Sequence, residues 1–366
     1  MRSSSARALV VAAVVALTTA ATATLATTAS AQQPAQGFAV NRLYPSAPGG
    51  GWMTMDALDM RGGLGGAASL TMGYAHAPLH VGSNDGSQRL DVVKNQASAD
   101  FGFAVTYDRW RVYLDLDMPL VGKGTSGTVD GHAFTAPPVD LATDPDTLAD
   151  ARIGVDTRLV GEAKSAFRLG AGVQLFVPSG NRSDYLTDGT YRAMGRALVA
   201  GDIGWFTYAG HLGVHVRPLD DAETPGSPRG SEMLFGAAAG VKTLLGSEAG
   251  TALIVGPEIY GATPFRSFFG SNSTALEALL VGRLEGTADD GPQMRVKSGV
   301  GVGVDQQFGA PEWRLVFAIE LFDHHSDGDG DGISDAKDAC PSTPGVKTAD
   351  PKTNGCPAAG DVAPPP

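Results

Sequence analysis

Beyond the first 31 residues, no stretch of this 366-residue chain is long and apolar enough to cross a bilayer as a helix, which takes about 20 consecutive apolar residues. A helical membrane protein is excluded. Cysteine is scarce, with Cys340 and Cys356 the two present, and no third cysteine or histidine stands near them at zinc-ligand spacing. Basic residues are outnumbered, 27 Lys and Arg against 39 Asp and Glu, so no nucleic-acid partner is expected. Aromatics are modest, and no nucleotide loop, zinc motif or paired-carboxylate site stands out. Glycine is abundant, at 49 residues.

The early apolar run, Ala8 to Leu17, follows Arg2 and Arg7 and gives way to Thr and Ala before a small-residue exit at Ala29, Ser30 and Ala31. This reads as a secretory signal peptide over residues 1–31, too short for a membrane anchor. The mature chain is expected to begin near Gln32, and losing both arginines makes it more acidic still. Export to an oxidising compartment suits a disulfide between Cys340 and Cys356, closing residues 341–355 and worth about 3 kcal/mol for a loop of that length. Free thiols are the other reading.

From Gly65 to Phe322 the chain alternates polar and apolar residues with period two, in segments separated by turn-forming residues. In Arg109 to Met118, Trp110, Val112, Leu114, Leu116 and Met118 share one face, and Arg111, Tyr113, Asp115 and Asp117 the other. Asp150 to Leu159 and Trp313 to Leu321 repeat the pattern. A soluble sandwich also alternates. Short connections alternating with long ones, aromatics at segment ends (Tyr107, Trp110, Trp205, Tyr208, Trp313) and charges on nearly every segment favour the membrane. The expected fold is all-β: an antiparallel transmembrane β-barrel of about twelve strands over residues 65–323. An even strand count places both chain ends on the periplasmic side. Residues 32–64 are expected as a periplasmic lead-in, packed below the barrel or forming a small plug.

Residues 327–338 place carboxylates where one hard cation could collect them. Asp327, Asp329, Asp331, Asp335 and Asp338 fall at the first, third, fifth, ninth and twelfth positions of a calcium loop, with the Ile333 carbonyl at the seventh and Gly332 at the sharp turn. A solvated acidic linker is the alternative. Asp338 stands where an EF-hand has Glu, and Cys340-Pro341 follows where a helix would leave, so the loop is not an EF-hand.

The stretch from Asp327 to Pro357 resembles a thrombospondin type 3 repeat, the acidic linker of many OmpA-family outer-membrane proteins. The start of the mature chain, with Phe38, Asn41, Arg42, Trp52 and Asp56 to Asp59, is similar to that of delta-proteobacterial members. The resemblance implies a calcium-binding stalk over residues 324–357 in the periplasm, and a barrel in the cell outer membrane. Such proteins continue into a peptidoglycan-binding domain. Here a proline-rich tail over 358–366 follows, so peptidoglycan binding is not expected; either the gene is short, or the stalk reaches a separate periplasmic partner through this tail. The end of the last strand, Phe317 to Phe322, looks like the aromatic-terminated signal read by the outer-membrane assembly machinery; any amphipathic strand ending in Phe would imitate it.

Function is then expected from a barrel among outer-membrane lipids, as a structural protein or a passive pore for small polar solutes. Its lumen would be lined by Asp115, Asp117, Arg152, Asp156, Arg158, Arg168, Arg192, Arg196, Arg217, Glu258, Arg283, Arg295 and Lys297. Paired, these charges would close the barrel; solvated, their arginine surplus would favour anions. The alternative is a barrel enzyme acting on membrane lipids, using His76 and His80 or His211 and His215. No serine motif accompanies those histidines, and no enzymatic role is expected. His324 and His325 could add a metal ligand or form a solvated hinge.

Overall fold

The computed structural model describes residues 37–219, 230–245, 250–270, 272–287, 291–325 and 327–358. The expected signal peptide, the start at Gln32 and residues 359–366 of the tail lie outside the described residues.

The strands are β1 Gly62–Gly82, β2 Arg89–Asp108, β3 Trp110–Lys123, β4 Gly127–Val129, β5 His132–Phe134, β6 Val139–Asp140, β7 Ala151–Val160, β8 Arg168–Val177, β9 Arg192–Ile203, β10 Phe206–Val216, β11 Glu232–Leu245, β12 Thr251–Pro264, β13 Ala275–Gly286, β14 Gly291–Asp305 and β15 Trp313–His324. Without the short β4, β5 and β6, twelve long strands remain. Each pairs antiparallel with its neighbours in the chain, and β1 pairs with β15 from Gly66↔Asp323 to His76↔Trp313. The sheet is a closed twelve-strand barrel with no free edge, so no row of backbone groups is left unpaired in lipid.

One rim carries the tight connections. Asp108 (φ 52°) turns β2 into β3 and Gly204 (φ 59°) turns β9 into β10. The other rim carries the long loops, 124–150, 178–191, 265–274 and 306–312. Part of the first loop, read from sequence as a plain connection, folds into the β4–β5 hairpin and into β6, which pairs with β3.

The alternation seen in the sequence sets inside from outside. Outward alternates such as Val173 (62% exposed) and Leu321 (57%) are bare, while inward Asp156 and Glu258 are wholly buried. The interior is tightly fitted: Gly154 on β7 leaves room for the ring of Tyr113, where a Cβ would lie 2.1 Å from Cζ. The Tyr113 hydroxyl accepts hydrogen bonds from Gln174 Nε2 (2.6 Å) and Arg196 Nη2 (3.0 Å).

Two placements were open for the lead-in, below the barrel or as a plug. Residues 37–61 take the second: they run through the lumen. Phe38 packs on Tyr185 and Phe308 at the loop rim, whereas Met60 O accepts a hydrogen bond from Arg158 near the turn rim. β1 starts and β15 ends at the turn rim, and threading places Gly37 at the loop rim. The physical reason is burial. Trp52, Met53, Met55, Leu58 and Met60 are fully buried, each worth about 1.5–3 kcal/mol against leaving it in water, and the segment supplies the partners of the inward Glu258 and Arg111.

Candidate functional site

The lumenal segment is gripped from all sides, in chain order from loop rim to turn rim. Ala39 N donates to Asp188 Oδ1 (2.9 Å), and Ala39 O accepts from Arg217 Nη2 (3.2 Å). Arg42 pairs with Glu232 on β11. Pro45 O accepts from Arg152 Nη2 on β7 (2.8 Å), and Trp52 O from Lys297 Nζ on β14 (2.9 Å). At mid-lumen Glu258 on β12 accepts three hydrogen bonds, from Met53 N (2.6 Å), Thr54 N (2.9 Å) and Thr54 Oγ1 (2.8 Å). Lower down, Asp56 pairs with Arg111 on β3. Between these anchors the segment doubles back on itself, Ser46 N donating to Met53 O (2.9 Å) and Gly50 N to Ala47 O (2.7 Å).

Most of the remaining inward charges are paired with one another. Arg152 meets Asp115 (2.8 Å), Arg196 meets Asp156 (2.9 Å), Arg192 meets Asp150 (2.8 Å) and Arg168 meets Asp202 (2.6 Å). Arg295 bridges Glu285 and Glu320 (2.7 Å each), Lys297 shares Glu320 (2.7 Å), and Arg314 takes Glu277 (2.7 Å). Arg283 lies over the Trp52 ring at 4.9 Å, and Arg158 caps the Met60 carbonyl at 2.7 Å. Asp117, with Asp100, Asn41 and Arg152, lines a void of about 50 Å³. In the loop above, burial pushes the Asp188 carboxyl up, but Arg217 and Arg192 outweigh it and hold the group well below the usual carboxylate range.

The arginine surplus expected from sequence is therefore met. The partners absent from the expected lining are Asp56, Asp150, Asp188, Asp202, Glu232, Glu277, Glu285 and Glu320. Glu277 and Glu320 carried a usable signal, since they share strand parity with Arg283 and Arg314. Asp56 and Asp188 lie outside the strands and carried none. A second void, about 30 Å³, sits beside His211 and Tyr260. Such spaces hold a few waters, not a hydrated channel.

Outside, apolar side chains alternate along the long strands: Val105, Val112, Ile153, Val214, Ile259, Leu280, Val302 and Leu315 are among those about half exposed. Water would not tolerate a belt of this extent. Lipid would. The protein is a membrane barrel, and its lumen is filled.

Tyr107, Trp110 and Trp205 mark the turn rim, and Trp313 the loop rim, where Tyr191, Phe265, Phe268 and Phe269 join it unforeseen because they sit in or beside loops. Phe322, the last aromatic of β15, lies inside the barrel, 4.6 Å from the Arg295 guanidinium.

No protein-family model matches the sequence, and no curated protein matches it. Among solved structures, an outer-membrane channel from Pseudomonas putida F1 is 14% identical over 72% of this chain and 97% of its own, with a TM-score of 0.45. The NanC porin is 10% identical over 69% of this chain and 98% of its own, with a TM-score of 0.39. LpxR from Salmonella typhimurium is 10% identical over 70% of this chain and 99% of its own, with a TM-score of 0.33. At identities and scores this low, none of them assigns a role to this chain.

The histidines read as possible enzyme groups, His76 and His80 on β1 and His211 and His215 on β10, do not gather at one site. His215 Nδ1 lies 3.1 Å from Glu232 and its ring packs against Phe176, inside the lumen. His211 lines the smaller void, and His76 stacks on Trp313 at the outer surface. His211 and His215 share the lumenal face, but neither His76 nor His80 joins them.

Past β15, Cys340 and Cys356 form a disulfide. Carboxylate oxygens of Asp327, Asp329 and Asp331 lie within 4.8 Å of one another. Gly330 and Gly332, on either side of Asp331, turn the loop at φ 79° and 87°, conformations that favour glycine. Asp335 Oδ1 accepts from Gly328 N (2.8 Å) and Asp338 Oδ1 from Cys340 N (2.6 Å), while Ile333 buries its side chain. Two carboxylate oxygens, Asp329 Oδ2 and Asp338 Oδ2, are buried with no hydrogen-bond partner. Desolvation and the nearby carboxylates Asp331, Asp338 and Asp327 push Asp329 above the usual range, against a hydrogen bond from the Asp331 backbone. Unsatisfied, mutually repelling oxygens fit a hard cation. His325 lies 3.2 Å from Asp323, on the barrel side of this group.

Proposed function

We propose that this protein is an outer-membrane channel closed by its own N-terminal segment, with a calcium-binding linker on the periplasmic side. The observation that carries the reading is the course of residues 37–61 down the whole lumen, tied to strands on every side. Small polar solutes would pass once that segment is displaced. With lumenal acids matched to the arginines, the opened pore would select only weakly between anions and cations. Single-channel conductance tests this. The full mature chain in a planar bilayer should stay closed for most of the record, and a variant lacking residues 38–58 should show discrete steps, with heat-modifiable migration as the control for folding. Steady conduction by the full chain, or silence from a folded deletion variant, would sink the proposal.

The linker reading is supported by the resemblance of Asp327 to Pro357 to a thrombospondin type 3 repeat and by the two unsatisfied carboxylate oxygens. Asp327, Asp329, Asp331, Asp335 and Asp338, with the Ile333 carbonyl, would hold the ion, which when bound neutralises their mutual repulsion and orders the loop. Tight turns and the stalk at one rim match periplasmic placement, with the long loops outside; the assembly machinery and a periplasmic partner of the stalk remain the protein partners of this reading. Replacing Asp329 and Asp331 together by Ala should abolish calcium-dependent protease protection of residues 327–357 and leave heat-modifiable migration of the barrel intact. Loss of both together would contradict a stalk separable from the barrel.

A further inference from the structure

The foot of the lumenal segment and the first residue of the acidic loop are joined through the backbone. Gly63 N donates to His325 O (2.9 Å) and Asp327 N donates to Arg61 O (3.3 Å), extending the β1–β15 contact beyond its last paired residues, Gly66 and Asp323. Two glycines make this approach feasible. Gly62 holds φ 100°, and a Cβ there would lie 2.5 Å from Asp327 O; a Cβ on Gly63 would lie 2.4 Å from His325 O. The residue that meets the last carbonyl of the lumenal segment thus also supplies the first carboxylate of the acidic loop. That carboxylate is itself built into the loop, accepting from Gly330 N (2.8 Å) and Gly332 N (2.9 Å).

We propose that calcium in the acidic loop latches the foot of the lumenal segment, so that its occupancy governs how readily residues 59–63 open. This rests on the calcium reading of the loop. Without a cation, the crowded Asp327, Asp329 and Asp331 oxygens repel one another. Moving Asp327 to relieve that repulsion pulls on its bond to Arg61 and on the adjoining bond between His325 and Gly63. A bound cation removes the repulsion and holds Asp327, and with it the foot, in place. Higher in the lumen Glu258 grips Met53 and Thr54 independently of the loop, so the effect is local to the foot.

The test uses the full mature chain in detergent micelles, with calcium binding followed by equilibrium dialysis of radiocalcium and opening followed by amide hydrogen exchange. Calcium should slow exchange at residues 59–63 by about three- to tenfold, what one or two backbone hydrogen bonds supply, with little change at Met53 and Thr54. The Asp329→Ala, Asp331→Ala double variant should lose the binding and the slowing together. Gly63→Val should bind calcium and exchange quickly at the foot whether or not calcium is present; Gly62→Ala is the milder variant should the valine impair folding. Calcium bound with no change at residues 59–63 would overturn the latch and leave the calcium reading standing. No calcium bound would overturn both.

Discussion

Replacing Glu258 by Ala is expected to free the middle of the lumenal segment at a cost of about 3–5 kcal/mol. Its carboxylate is fully buried and accepts from Met53 N, Thr54 N and Thr54 Oγ1. Alanine leaves three donors unsatisfied where water has little access, at about 1–3 kcal/mol each before relaxation, and it removes a buried negative charge from a lumen that also holds Lys297 and Arg283. The barrel wall itself should persist, because the strand ladder on either side of Glu258 runs through backbone groups. Amide exchange at Met53 and Thr54 should rise by orders of magnitude, and brief conductance steps should appear in a planar bilayer. Glu258→Gln, which keeps one acceptor and the shape, should show a smaller rise. Exchange unchanged in the alanine variant would mean that Glu258 is not a clamp.

Trp52→Ala should cost a similar amount by a different route. The ring is wholly buried, lies beneath the Arg283 guanidinium, and fits against Gly240 on β11, where a Cβ would come within 2.6 Å of Cη2. Truncating a buried Trp typically costs about 3–5 kcal/mol, from lost transfer energy and from the cavity left behind. Here the cavity opens beside Arg283, whose charge would draw in water. The expected readouts are a lower midpoint for heat-modifiable migration and a lumen that conducts more often than the parent. Gly240→Leu, which crowds the same ring from the wall, should shift the midpoint in the same direction. A parent-like midpoint for Trp52→Ala would show that the segment does not depend on its apolar anchor.

The two variants separate the forces that keep the lumen shut. If Glu258→Ala conducts and Trp52→Ala merely softens the barrel, backbone hydrogen bonding holds the segment and apolar packing positions it. The opposite pattern would make burial the retaining force.

Several features were legible in the sequence because they are local. The alternation in Arg109 to Met118 marked Trp110 and Val112 as outward and Arg111 and Asp115 as inward before any pairing was known, since adjacent strand side chains must point oppositely. The acidic loop was legible for a similar reason: its spacing puts Asp327, Asp329 and Asp331 within reach of one another without help from the rest of the chain. The lead-in was harder to place. Residues 37–61 have no strand or helix period, and their partners, Asp188, Arg217, Glu232, Glu258 and Lys297, stand far away in sequence.

The sequence by itself determined that the chain makes a barrel of about twelve strands with a polar interior, because a two-residue period over strand-length segments admits few other folds and glycine-rich turns divide it. Only the tertiary structure decided that the interior is closed. A lumenal arginine is the same residue whether it lines water or meets an acid, and which of these occurs depends on what faces it across the barrel. That is set by strand register and by the path of a segment without a period of its own, and neither is encoded at short range.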